Sequence, residues 1–178
     1  MDTALASATR LVREAGVRAV KLEGGRWVVP QVKALVAAGI PVVGHIGLTP
    51  QLAAVLGGFR VQGKTAAAAQ ALLADAEALE AAGCFALVLE SVPTQVGELI
   101  TQGIGIPPIG IDAGPSCDGQ VFVMHDMLGL NTGHVPKFVK KYAELADTVR
   151  GAFRAYAAEV ATGTFPAPEH GFSMDAAE

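Results

Sequence analysis

Segment 19–25 reads Ala19-Val20-Lys21-Leu22-Glu23-Gly24-Gly25. In it, a short apolar run contains a lysine, ends at a carboxylate and is followed by two glycines. Such a run, closed by glycines, predicts a short β-strand and the turn that follows it. The same plan recurs along the chain, where apolar runs of four to six residues end in a charged or histidine side chain and are followed by a helical pattern. The segment is therefore the first visible member of a series of βα units.

Glycines separate these units from one another. Gly16, Gly39 and Gly83 each end a helical pattern and each precede a predicted strand. Strands that alternate with helices in this way favour a parallel sheet with right-handed crossovers. Five units are visible, whereas a closed (β/α)₈ barrel needs eight in about 250 residues. The fold class is thus α/β, either as an open parallel sheet or as the later part of a barrel. The predicted helices are 3–15, 28–38, 65–82, 94–102 and 136–161, and the predicted strands are 17–22, 41–45, 85–90, 108–111 and 121–124.

Length and composition favour a single domain over residues 1–178. The chain is 51% hydrophobic and 17% charged, which is enough apolar material for a full core and argues against disorder. The prolines of the segment 162–178 break a helix, so we expect it to form a surface tail. The net charge is −4, and Lys137, Lys140 and Lys141 form the one basic cluster. This balance gives little support to a nucleic-acid partner.

Cysteine content and hydropathy indicate the compartment. Cys84 and Cys117 lie far apart in different contexts, which fits a reducing cytoplasm better than a disulfide framework. The N-terminus does not have the pattern of a secretory signal, and no apolar run reaches the ~18 residues that a membrane span needs. We therefore expect a cytoplasmic protein with no membrane partner.

Polar side chains follow the predicted strands at one end. They are Glu23, His45, Glu90, Asp112 and the pair His125-Asp126, and each comes directly after an apolar run. Because the carboxyl ends of parallel strands share one face of the fold, these side chains are expected to converge. The sequence thus predicts an active-site rim at that face.

Glu23 and the nearby Lys21 are candidates for a binding role. Glu23 is either a ligand for a hard cation such as Mg²⁺ or simply the first polar residue outside the core. Lys21 lies two residues earlier and points to the same side of the strand. It is expected either to bind a carboxylate or to pair with Glu23 or another strand-end acid.

Five further positions are candidates for catalytic or structural roles. Glu90 follows a five-residue apolar run and suits a general base for a weakly acidic C–H, although it could also act as an acid at the start of the next helix. His45 is expected to donate a hydrogen bond into the site or to orient a neighbour. His125 is interpreted as structural, and Asp112 and Asp118 as turn formers in a glycine-rich loop.

Five motifs of the chain resemble those of one protein family. They are Val20-Lys21-Leu22-Glu23-Gly24-Gly25, Gly44-His45-Ile46-Gly47-Leu48-Thr49-Pro50-Gln51, Gly58-Phe59-Arg60-Val61-Gln62-Gly63-Lys64, Leu87-Val88-Leu89-Glu90-Ser91-Val92-Pro93 and Asp118-Gly119-Gln120-Val121-Phe122-Val123-Met124-His125-Asp126. In this order they are similar to 3-methyl-2-oxobutanoate hydroxymethyltransferases, the ketopantoate-forming transferases of pantothenate biosynthesis. The resemblance extends over essentially the whole chain.

The resemblance implies a TIM barrel, a bound Mg²⁺, and transfer of a hydroxymethyl group from 5,10-methylenetetrahydrofolate to 3-methyl-2-oxobutanoate, with 2-dehydropantoate and tetrahydrofolate as products. Carried over by position, Lys21 would bind the ketoacid, Glu23 would belong to the metal site and Glu90 would remove the proton from C3. Family members are expected to be homo-oligomers.

The resemblance also implies that part of the family barrel precedes the region matched by this chain. That part would hold the first three βα units, two aspartates of the metal site and a serine near the ketoacid. Asp112 differs from the family pattern, since glycine is expected at that position in many relatives. Three interpretations follow: part of the complete enzyme, a non-catalytic or partner-dependent half-barrel that needs an N-terminal segment, or an open-sheet module that binds a small molecule.

Overall fold

The computed structural model describes residues 2–55 and 57–174, which form helices and one parallel sheet. The strands are β1 (Val20–Glu23), β2 (Val42–Gly47), β3 (Ala86–Glu90), β4 (Pro108–Ile111) and β5 (Gly119–Gln120). The helices are α1 (Asp2–Ala15), α2 (Val29–Ala37), α3 (Ala66–Ala81), α4 (Thr94–Gly103), α5 (Met124–Met127) and α6 (Leu145–Thr162). Short 3-10 helices cover Arg26–Val28, Pro50–Leu52 and Pro168–His170.

The sheet has its five strands in chain order, β1-β2-β3-β4-β5, and every neighbouring pair is parallel. The register places Glu23 opposite His45 and Gly47 opposite Glu90. Consecutive parallel strands joined by helices are the arrangement of a (β/α)₈ barrel. The predicted α/β class and parallel sheet are confirmed, and the sheet is consistent with part of a TIM barrel.

The chain divides into two compact units. The first unit, Met1–Val121, contains the sheet and helices α1 to α4, and the second, Phe122–Glu178, contains α5 and α6. In the first unit, alternate residues of β3 point to opposite faces of the sheet, so Leu87 and Leu89 are buried beneath the helices while Val88 and Glu90 are only half-buried. Burial of each such leucine stabilises the fold by about 1.5–3 kcal/mol. The prediction of a single domain over 1–178 stays a prediction.

The predicted helix ends are confirmed by backbone conformation. Gly16, Gly39 and Gly83 all have positive φ, which glycine adopts readily because it has no Cβ. At the other end of α3, the hydroxyl of Thr65 accepts a hydrogen bond from the backbone N–H of Ala68 at 3.2 Å. This is a regular N-cap, and it starts the alanine-rich helix at the predicted place.

Two predicted elements near the C-terminus are wrong. The fifth strand lies at 119–120 instead of 121–124, because the N–H of Val121 makes the last backbone hydrogen bond to Gly110 and the chain then leaves the sheet. His125 and Asp126 consequently lie on α5, in the second unit, and not at a strand end. The last helix begins at Leu145 and not near residue 136, and residues 136–144 are irregular.

The described part of the predicted tail agrees with a surface segment. Residues 163–174 are mostly exposed, and the ring of Phe165 packs edge-on against Tyr156 of α6 with centroids 5.6 Å apart. Residues 175–178 lie outside the described residues. Within the described chain, no helix combines the length and apolar character that crossing a bilayer requires.

Candidate active site

The carboxyl ends of β1, β2 and β3 bring Glu23, His45 and Glu90 together. Nδ1 of His45 lies 3.7 Å from Oε1 of Glu23, and Nε2 lies 3.1 Å from Oε2 of Glu90. The imidazole is 1% exposed, and the two carboxylates are 15% and 17% exposed. The predicted convergence is confirmed for these three residues, with the histidine placed between the two acids.

The two ring nitrogens of His45 lack hydrogen-bond partners among the described residues. Both are buried and neither completes a hydrogen bond to the residues that the structure describes. The 3.1 Å separation from Glu90 is within hydrogen-bonding range, so the shortfall lies in the angle and not in the distance. Catalytic hydrogen bonds are often poorly aligned before a substrate binds and tighten in the complex. His45 is thus placed to orient Glu90.

Glu23 is held by the long segment that follows β2. Its Oε2 accepts a hydrogen bond from the backbone N–H of Gln51 at 3.0 Å. The N–H of Gly24 donates to the carbonyl of His45 at 2.9 Å, which ties the ends of β1 and β2 together. Sequence reasoning did not find the Gln51 contact, because a backbone donor leaves no signal in the residue pattern.

Lys21 lies on the same face of the sheet as Glu23, as the strand period predicts. Its side chain is exposed, although it is flanked by Val20 and Leu22. Lys21 forms no ion pair with Glu23 or with any other acid in the described chain. The ammonium group therefore remains available to an anionic ligand.

Glu90 is fixed by close backbone contacts at the end of β3. Its carbonyl accepts a hydrogen bond from the N–H of Leu48 at 2.8 Å. Gly47 has φ +88°, and a Cβ built there would lie 2.2 Å from the same carbonyl oxygen. Only glycine permits this approach, so the backbone of β2 sets the position of Glu90.

A second polar pair, Ser91 and Asp112, lies next to Glu90. Each directly follows its strand and each has a positive φ, 49° and 54°. The Ser91 hydroxyl donates to Oδ2 of Asp112 at 3.2 Å. Burial raises the pKa of Asp112 above its usual value; the Ser91 hydrogen bond opposes this, and the charge of Glu90 adds to it. Asp112 was expected among the strand-end side chains, with a turn-forming role, and its pairing with Ser91 across two strand ends is a tertiary feature.

We expect Asp112→Asn to stabilise the chain at neutral pH and to have little effect near pH 3. An acid whose pKa is raised on folding favours the folded state when protonated, and this stability is lost as the pH rises through the folded pKa. Asparagine tolerates positive φ and retains an acceptor for Ser91. Urea midpoints measured across this pH range test the prediction.

Asp118→Asn, an exposed change in the same loop, is the matched control and should not show this pH dependence. A stability gain of equal size at pH 3 and at pH 7 would show that the charge of Asp112 is not the cause.

The donor set for a magnesium ion is incomplete in the described residues. The Glu23 carboxylate is a hard oxygen donor of the kind that Mg²⁺ prefers. However, no group of three His, Cys, Asp or Glu residues in the described chain is arranged to hold a metal ion. The described residues therefore do not form a metal centre on their own, and Glu23 is at most one ligand of a larger set.

Comparison with known proteins agrees with this geometry. A family model described as Ketopantoate hydroxymethyltransferase matches residues 1–168. A 3-methyl-2-oxobutanoate hydroxymethyltransferase of Oleidesulfovibrio alaskensis is 62% identical over 97% of this chain and 60% of its own length. Proteins of the same name from Syntrophobacter fumaroxidans and Thermobifida fusca are 58% and 56% identical, over 62% and 61% of their own lengths.

The chain spans about three-fifths of the length of these curated relatives. The family match nevertheless extends over most of the chain and includes the three rim residues. The chain belongs to the ketopantoate hydroxymethyltransferase family.

Proposed function

We propose that this chain provides the ketoacid-binding and proton-removing part of a hydroxymethyltransferase of pantothenate biosynthesis. The reaction converts 3-methyl-2-oxobutanoate, 5,10-methylenetetrahydrofolate and water into 2-dehydropantoate and tetrahydrofolate. The observation that carries the proposal is the buried His45 between Glu23 and Glu90, beside the unpaired Lys21.

Lys21 would bind the carboxylate of the ketoacid. The ammonium group is exposed on the rim face and has no acidic partner in the described chain. A lysine ammonium is a point charge with three donors, so it can bind a carboxylate without imposing a single orientation. The keto group would then extend from Lys21 toward Glu23 on the same face of β1.

Glu90 would act as the general base. It takes the proton from C3, and the electron pair of that C–H bond forms the C2–C3 double bond of the enolate. His45 would hold the Glu90 carboxylate in position, because its Nε2 is already 3.1 Å from Oε2. The enolate carbon then forms the new bond to the one-carbon unit, whose bonds to the folate nitrogens break, and water supplies the hydroxyl oxygen.

Glu23 would contribute one ligand to a Mg²⁺ ion, with further donors coming from substrate oxygens, from water and from outside the described residues. When bound, Mg²⁺ supplies charge stabilisation for the developing enolate oxygen.

The proposal also places the protein in the cytoplasm as a homo-oligomer. The cysteine thiols of Cys84 and Cys117 are free and buried, which supports a reducing compartment.

The test is a chimera in which the unmatched N-terminal part of the Oleidesulfovibrio relative precedes this chain. We expect the chimera to form tetrahydrofolate from the two substrates and Mg²⁺, while the 178-residue chain alone shows no turnover. The expected difference follows from the incomplete donor set around Glu23. Release of tetrahydrofolate, followed by absorbance, is the measurement.

A folded chimera that neither turns over nor binds the ketoacid would contradict the proposed function. Full turnover by the chain alone would contradict the need for an additional segment. Circular dichroism of each protein separates loss of function from loss of folding.

A further inference from the structure

A pocket of about 250 Å³ opens beside the rim, and none of the roles above uses it. It lies within the first unit, between the ends of β1 and β2, the segment after β2, and α3. We call it the Trp27 pocket and define it by Gly24, Trp27, Ile46, Leu52, Leu72 and Asp75. Gly24 directly follows Glu23 in the chain, so the pocket starts one residue beyond the rim.

The walls of the Trp27 pocket are mainly apolar and partly flat. A Cβ on Gly24 would lie 2.7 Å from the indole of Trp27, so this ring rests directly on the glycine backbone. Trp27 is nevertheless 62% exposed, which leaves much of the ring free to make contacts. Ala68 and Ala71 of α3 also line the pocket, and their small side chains leave its interior open.

Asp75 is the one carboxylate in this lining, which also includes the polar residues Thr49 and Gln62. Oδ1 of Asp75 accepts hydrogen bonds from the backbone N–H of Arg26 at 3.0 Å and from its Nε at 2.7 Å. Oδ2 accepts no hydrogen bond from the residues that the structure describes. The carboxylate is 22% exposed, and Arg26 offsets its charge. The pocket therefore presents a fixed acceptor to a ligand that carries N–H donors.

The volume restricts what the pocket can hold. Whole drug-sized ligands occupy roughly 300–1,000 Å³. A pocket of about 250 Å³ suits one flat ring system and not an entire extended molecule. Exposed indole favours aromatic stacking, and a carboxylate favours adjacent N–H donors such as those of an aminopyrimidinone.

We propose that the Trp27 pocket binds the reduced pterin ring of the one-carbon donor. This inference rests on the proposed function, since that function supplies a folate as the second substrate. The pterin is the part of that donor that combines a flat ring with adjacent N–H groups. Gln51, whose N–H binds Glu23, belongs to the same segment as Leu52 and links the pocket to the rim.

Trp27 reports on its own pocket, because it is the single tryptophan of the chain. The full chain is titrated with 5-formyltetrahydrofolate, a stable reduced pterin, while tryptophan fluorescence is recorded and corrected with free N-acetyltryptophanamide. We expect saturable quenching. The fragment p-aminobenzoylglutamate, which lacks the pterin, and 3-methyl-2-oxobutanoate are expected to leave the fluorescence unchanged.

Two variants locate the binding. Ala71→Leu fills the pocket and is expected to raise the Kd at least tenfold, whereas Ala67→Leu, exposed on the same helix, should bind normally. Asp75→Asn keeps the side-chain shape but removes the charge, and we expect weaker binding of the pterin by the folded variant. Thermal unfolding of every variant is recorded, so that only folded proteins are compared.

The proposal is overturned if no ligand quenches Trp27, if p-aminobenzoylglutamate or the ketoacid quenches it equally, or if Ala71→Leu binds as tightly as the parent chain. Binding is measured without turnover. An inactive chimera with intact pterin quenching would therefore count against the proposed reaction alone, whereas an active chimera whose quenching ignores Ala71→Leu would count against the pocket alone.

Discussion

Glu90→Gln, introduced into the chimera, is expected to slow proton exchange at C3 of 3-methyl-2-oxobutanoate by about 10²- to 10⁴-fold, which is the usual contribution of a positioned general base. The amide has nearly the same shape as the carboxylate but cannot accept the C3 proton at neutral pH. Binding of the ketoacid should change little, because Lys21 and Glu23 remain. Deuterium loss from C3, followed by NMR with no folate present, measures the step directly.

Glu98→Gln is the matched control for this variant. Glu98 is exposed on α4, and among the described residues its carboxylate accepts a hydrogen bond only from the amide of Gln102, at 3.4 Å. Its exchange rate should equal that of the parent. Parental exchange in Glu90→Gln would remove Glu90 as the base, whereas loss of ketoacid binding would indicate a binding role in place of proton transfer.

Gly47→Ala is expected to produce the largest loss of stability among the single changes considered. Alanine at φ +88° costs about 1–2 kcal/mol through backbone strain. Its Cβ would in addition lie 2.2 Å from the Glu90 carbonyl oxygen, a backbone atom that cannot rotate away. Overpacking of this kind adds about 1–3 kcal/mol. Urea unfolding followed by circular dichroism measures the total.

Gly39→Ala separates strain from overpacking. Gly39 has φ +76°, close to that of Gly47, but an added Cβ there meets nothing within 4 Å. Its loss of stability should therefore represent backbone strain alone. Equal losses at the two positions would show that β2 and β3 can move apart at Glu90, and that Gly47 does not fix the base.

The sequence was most informative where short-range patterns determine structure. Helix-ending glycines such as Gly83 and apolar runs such as 86–90 marked the repeating units, and β4 begins and ends at the predicted residues. Parallel strands then required Glu23, His45 and Glu90 to lie at one end of the sheet. The convergence of these three side chains thus follows from the topology of the sheet.

The parts that could not be predicted depend on contacts between distant segments. The end of β5 is set by a hydrogen bond from Val121 to Gly110. No pattern in residues 121–124 distinguishes the predicted strand from the irregular residues 121–123 and the start of α5 found there. The Trp27 pocket likewise requires α3 to pack beside the 3-10 helix Arg26–Val28, which places Asp75 next to Arg26 across 49 residues. A local residue pattern does not show which distant segments of the chain lie next to each other in the fold.

The order of the strands also divides the site by local stability. β2 and β3 are paired on both sides, whereas β1 is paired only with β2 among the described strands. Amides of doubly paired central strands exchange with solvent mainly through global unfolding, while edge strands open at lower free energy. His45 and Glu90, which would handle the proton, thus lie on the slowly exchanging strands. Lys21 and Glu23 lie on β1, so in this chain on its own we expect their amides to exchange faster than those of His45 and Glu90.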